Sequence, residues 1–203
     1  MMSSWACGIT DAGIAQLAVV KFRRVDAQQF WALVDDARGQ ATDPADAEAV
    51  AAWAITLLAA RPREDIVATQ RVQWDLMAMS YTTDLWAAAY EINSGCSDDG
   101  FEYFRAWLMT RGREVFERAV ADPDTLADLP AVRAMATEDG LDSLECEEMR
   151  NIAWDAHIAA TGEELPESAD SGDPYPKLVD SWDFDDPAEL ERRLPRLAAL
   201  FGE

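Results

Sequence analysis

The sequence predicts an all-α domain, and three observations lead there. Helix-capping residues recur ahead of stretches whose apolar side chains return every three or four positions. Glycine and proline close those stretches. Eight Trp, seven Phe and seven Met in a chain that is 49% hydrophobic supply the bulk for one sizeable core. With 203 residues, one domain fits better than two. The expected architecture is a single irregular bundle of about eight helices over residues 26–203, arranged around a central helix at Leu85 to Ile92. Residues 1–25 read as an extension: Gly8 and Gly13 loosen it, and Leu17 to Phe22 offers at most one short strand.

Asp26 is a good N-cap, and Phe30, Leu33, Val34 and Ala37 follow at helical spacing until Gly39. Asp43-Pro44 is expected to open a second helix, with proline in its first turn and Val50, Trp53, Ala54, Leu57 and Leu58 along it. A third, from about Arg63 to Met79, turns Ile66, Val67, Gln70, Trp74, Met77 and Ala78 to one face. Thr83 or Asp84 caps a fourth that is apolar all round, the mark of a buried helix. Asn93 to Ser97 is a turn. A fifth helix carries Phe101, Phe104 and Leu108 inward until Gly112, a sixth spans Arg113 to Ala121, and Asp122-Pro123 starts a short one through Leu129. Glu145 to Thr161 is expected as one long helix closed by Gly162. Residues from about 163 to 182 are rich in Pro, Gly, Ser and Asp and read as a surface loop. Asp186-Pro187 caps the last helix, which Pro195 bends.

The formal net charge is −22. Its distribution is uneven: residues 1–119 hold 17 acidic and 11 basic side chains, residues 120–203 hold 22 and 6. Such a field repels nucleic-acid phosphates and anionic lipid, so neither a nucleic acid nor a membrane is expected as partner. Solubility accounts for the acidity most simply; a basic protein partner is the more specific alternative. Cys7, Cys96 and Cys146 are widely spaced and odd in number, with a single histidine, so neither a zinc pattern nor a disulfide framework is implied. Reduced thiols in the cytoplasm follow. The apolar run Ile14 to Val20 is too short to span a bilayer, and its basic residues follow it, where a signal peptide would place them before.

One stretch is dense in special residues: Gly95-Cys96-Ser97-Asp98-Asp99, then Phe101, Tyr103-Phe104-Arg105 and Trp107-Leu108. Here the chain resembles a MolR-like bacterial family of unknown function, of the DUF4240 type. Asp84 to Tyr90, Ala121 to Ala127 and Thr161 to Pro166 extend the resemblance, which covers about Asp26 to Gly202. It implies no activity, cofactor or catalytic residue.

The residues themselves allow several chemistries. Asp98 and Asp99 stand at a helix start, where free amides and the macrodipole stabilise negative charge. Ser97 or Asp98 can cap, and Glu102 and Arg105 are spaced to pair. That arrangement is structural. As a metal site, Asp98-Asp99-x-x-Glu102 has the form that holds Mg²⁺ against a diphosphate in isoprenoid enzymes; no second such motif is present, and the acidity opposes a diphosphate, so no cofactor is expected. Cys96, ahead of a helix N-terminus, could be an activated thiol with His157 as its one possible imidazole partner, but the neighbouring aspartates raise a thiol pKa. His157, late in its helix, gains from the helix C-terminus without a further role. Trp53, Trp74, Trp86 and Trp154 fall on or beside apolar faces, where packing is their ordinary duty. The leading expectation is a non-catalytic interaction or regulatory module with a surface near Asp98. The alternative is a small enzyme whose polar site gathers Asn93, Cys96, Asp98, Asp99, Glu102 and Arg105.

Overall fold

A computed structural model describes residues 25–137, 143–166 and 176–202, and within them every regular element is helical. The extension and its short strand fall at 1–24, outside the described residues, as does 167–175 of the surface loop.

Helix α1 (Ala27–Gln40) opens on a reciprocal capping box: Gln29 N–H donates to Asp26 Oδ1 at 2.9 Å, and Asp26 N–H donates to Gln29 Oε1 at 3.2 Å. Helix α2 (Ala47–Ala59) starts later than Asp43-Pro44 suggested. Asp46 is its N-cap, while Asp43 accepts from Ala45 N–H and makes a separate turn before it. Helix α3 (Arg63–Met79) has the expected bounds but a different buried face, formed by Ile66, Thr69, Val72, Gln73, Leu76 and Met77. Thr69 and Gln73 can be buried because both are hydrogen-bonded, Thr69 Oγ1 to Asp65 O and Gln73 Nε2 to Met149 O and Arg150 O.

Helix α4 (Thr83–Ile92) is capped by Thr82, ahead of the expected Thr83 or Asp84. Helix α5 (Asp98–Thr110) follows the turn, in which Gly95 takes φ +123°, a conformation open to glycine. Helix α6 (Arg113–Ala121) leads into a 3₁₀ segment (Pro123–Asp128) and a short α7 (Pro130–Met135) that periodicity did not signal. The expected long helix is two, α8 (Glu147–Arg150) and α9 (Ile152–Thr161), broken at Asn151 with φ −103° and ψ 10°. The carbonyls that this break releases from the helix are those that Gln73 satisfies. Helices α10 (Pro187–Arg193) and α11 (Pro195–Phe201) meet at the bend before Pro195. Buried Asp124 accepts from Arg196 N–H and Leu197 N–H and so caps α11 from the 3₁₀ segment.

The centre of the bundle is α5, where α4 was expected. It packs on α1, α2, α3, α4, α6 and α8, whereas α4 lies toward one flank beneath α11 and the 3₁₀ segment. Phe101, Phe104, Leu108 and Met109 of α5 are fully buried with Phe30, Leu33, Leu58, Ile66 and Phe116. Each such side chain contributes about 1.5–3 kcal/mol of burial.

Candidate functional site

Ser97 caps α5: its Oγ accepts from Gly100 N–H at 3.1 Å. Asp98 and Asp99 occupy the first turn and are exposed, so their carboxylates face solvent at the positive end of the helix. Gly100 is buried; a Cβ there would lie 3.2 Å from Glu145 Oε1 and 3.3 Å from Ser97 Oγ, so a larger residue would push both side chains aside by a few tenths of an ångström.

From Phe101 onward the block turns inward. Phe101 stacks on Trp86 with centroids 4.9 Å apart and planes at 14°. The Arg105 side chain is fully buried, its Cζ 4.5 Å from the Phe101 ring and 5.1 Å from the Tyr81 ring. It donates from Nε to Phe101 O at 3.1 Å and from Nη1 to Met77 O at 2.5 Å. Arg105 therefore joins α5 to α3 beneath an aromatic cover, and this part of the block serves packing. Trp86 Nε1 donates to Cys96 O and fastens the turn to the same cluster.

Glu102 reaches across to α8, accepting from Arg150 Nε at 2.5 Å. Asn93 also serves the turn: its Oδ1 accepts from Leu144 N–H at 3.0 Å. The Cys96 thiol is pushed up to about 12, by burial first and then by Glu145, against a smaller opposing pull from Arg105. It is held as a thiol, and the carboxylate responsible is Glu145 from the opposite segment, beyond the sequence neighbours Asp98 and Asp99. His157 lies in α9, fully buried, and its Nδ1 donates to Glu163 O at 2.8 Å, closing the helix end where Gly162 adopts φ +73°. The structure thus gathers Asn93, Cys96, Asp98, Asp99 and Glu102 around the α5 start, sinks Arg105 into the core and places His157 on another helix. Among the described residues, no group of three or more His, Cys, Asp and Glu is arranged to hold a metal ion, and no helix is long and apolar enough to cross a membrane.

Tyr103 and Arg150 are the site residues that sequence reasoning did not single out. The Tyr103 phenol is pushed up by its partial burial and then by Glu147, Asp99 and Glu102, with Arg150 opposing. Acidic side chains of α5 and α8 therefore crowd one tyrosine. Only the i, i+4 spacing from Asp99 to Tyr103 could have hinted at this, because Glu147 and Arg150 arrive from a separate helix.

Comparison with curated proteins and with solved structures found no match to the chain. A family model does match, over residues 25–158, and its span covers the α5 block, the Glu102–Arg150 pair and His157. The chain belongs to the family described as Protein of unknown function (DUF4240).

Proposed function

We propose that this protein is a non-catalytic interaction module of the bacterial cytoplasm, whose acidic face at the start of α5 receives a basic partner protein. The observation that carries this reading is the setting of Tyr103, an aromatic side chain among Asp99, Glu102 and Glu147 with Arg150 already paired to Glu102. A tyrosine beside several carboxylates and one arginine suits an arginine-rich surface, combining an apolar contact area with charge complementarity. The candidate catalytic groups have structural engagements: Asn93 with Leu144, Glu102 with Arg150, Arg105 within the core, and Cys96 as a protonated thiol. Free Cys96 and Cys146 suit a reducing compartment. The net charge of −22 disfavours nucleic acid as the partner.

The test is calorimetric titration with an arginine-rich peptide at low salt and at about 0.3 M salt. Wild type is compared with the Asp99→Asn/Glu147→Gln double variant and with Asp36→Asn/Glu114→Gln, which removes equal charge from exposed positions elsewhere. The reading expects a loss of affinity of about tenfold or more in the first variant only. Equal losses in both would reduce the acidity to a diffuse, solubilising charge and overturn it.

A further inference from the structure

A second region has the geometry of a small-ligand cleft. It lies where α3 faces the α8–α9 break, is about 340 Å³ in volume, and is lined by Gln70, Trp74, Arg150, Asn151, Trp154 and Leu165. Gln70, Trp74 and Arg150 also wall a recess of about 20 Å³ that Gln73 and Met77 complete. That is room for a single heavy atom.

Gln73 is only 2% exposed. Its Nε2 donates to Met149 O at 2.6 Å and to Arg150 O at 3.0 Å. Both partners are carbonyls, which only accept, so the amide orientation is determined by its surroundings and Oε1 is the remaining acceptor. Among the described residues nothing donates to Oε1, which is buried. Gln73 forms one wall of the recess, and Oε1 lies closed behind it, so an N–H or O–H of a bound molecule reaches this acceptor once the wall shifts outward.

The other walls restrict that molecule. Trp74 and Trp154 present indole surface, and Trp154 is 38% exposed although it is a large apolar side chain. Gln70 and Asn151 place amide groups beside the indoles. Asn151 Oδ1 already accepts from Arg150 Nη1 at 3.2 Å, which leaves its Nδ2 to donate. The Arg150 charge is matched by Glu102 at 2.5 Å, and Glu148 and Asp155 lie on the same two helices. Among the described residues that line it, Arg150 is the one cation, so an anion meets a charge already matched by Glu102.

We propose that this cleft binds an uncharged, planar, hydrogen-bonding heterocycle of the nucleobase class, whose ring lies against the indoles and whose exocyclic amino group or ring N–H enters the recess toward Gln73 Oε1. Amide side chains read the donor and acceptor edges of such rings, and indoles stack on their faces. The cleft opens away from Tyr103 and Asp99, neither of which lines it, and Arg150 stands on the border between it and the acidic face proposed for a protein partner.

The experiment is isothermal titration of the full chain with adenine, cytosine and uracil. Adenosine monophosphate serves as a charged control and glucose as a non-planar one. At least one base binds saturably, and the monophosphate binds more weakly than adenine. Trp154→Ala weakens base binding about tenfold, the stacking lost with one indole, and its melting temperature shows that the fold is kept, because alanine at an exposed helical site favours helix. Gln73→Leu abolishes binding, and a far-UV spectrum identifies any loss caused by unfolding. No saturable binding of any base up to about 10 mM overturns the proposal. So does a Trp154→Ala variant that binds as wild type does, or a control that binds as tightly as the bases.

Discussion

The first turn of α5 and its middle belong to one motif and lie within seven residues, yet they have opposite roles. Asp98 and Asp99 face water and touch the rest of the molecule mainly through the field they create. Arg105 is fully buried and ties α5 to α3 through Met77 O. Spacing alone groups Asp98, Glu102 and Arg105 on one helix face at i, i+4 and i+7 and suggests a single polar site. The fold cuts across that face: its exposed end belongs to the surface, and its inner end to the core, where carbonyls and aromatic rings solvate the guanidinium. A shared motif is therefore no guarantee of a shared role.

The most direct way to break this contrast is Arg105→Ala. If Arg105 is a core residue, removing it opens a cavity and takes the shorter of two donors from Met77 O, leaving Ser80 Oγ at 3.2 Å, with a loss of about 3 kcal/mol or more in urea unfolding. A loss below about 1 kcal/mol would return Arg105 to the surface site.

An alkaline titration sharpens the contrast at Cys96. The folded thiol is raised to about 12 from an ordinary 9, by burial and then Glu145, so its contribution to stability is complete below pH 9 and is lost as pH rises toward 12. Once solvent screening at this partly exposed group is allowed for, the loss is on the order of 1–2 kcal/mol. Cys146, likewise pushed up to about 12, titrates in the same window. Stability curves of wild type and Cys96→Ala should therefore converge between pH 9 and 12. Curves that stay parallel would remove Cys96 from the buried cluster.

Ser97→Ala probes the boundary between the two regions. Losing the acceptor for Gly100 N–H costs about 1 kcal/mol, read as a lower melting temperature. A change near zero would mean that an aspartate takes over the cap.

The smallest effect belongs to Asp98→Asn/Asp99→Asn. Loss of charge at the helix start is offset by relief among Glu102, Glu145 and Glu147, so stability changes by less than about 0.5 kcal/mol. Added Mg²⁺ leaves the wild-type melting temperature unchanged. A Mg²⁺-dependent rise that disappears in the double variant would establish the metal site that the D-D-x-x-E spacing resembles.

The same divide separates what could be read from the chain and what could not. Local chemistry wrote most helix starts and stops: Asp26 before α1, Ser97 before its acidic turn, Gly162 after α9, Pro187 at α10, and Pro195 at a bend that proves to be a break between α10 and α11. These depend on residues within one turn of each other, and a linear string displays them. Helical spacing also marked Phe101, Phe104 and Leu108 as inward-facing, and the α5 block carried the family resemblance. Which face of α3 is buried, why the Glu145 to Thr161 segment breaks at Asn151, and that Glu102 meets Arg150 were settled by packing between segments 48 to 77 residues apart. Gln73 shows the reason: a polar side chain can occupy a core position only because the carbonyls of another helix satisfy it, and hydrophobic periodicity along one helix has no view of that partner.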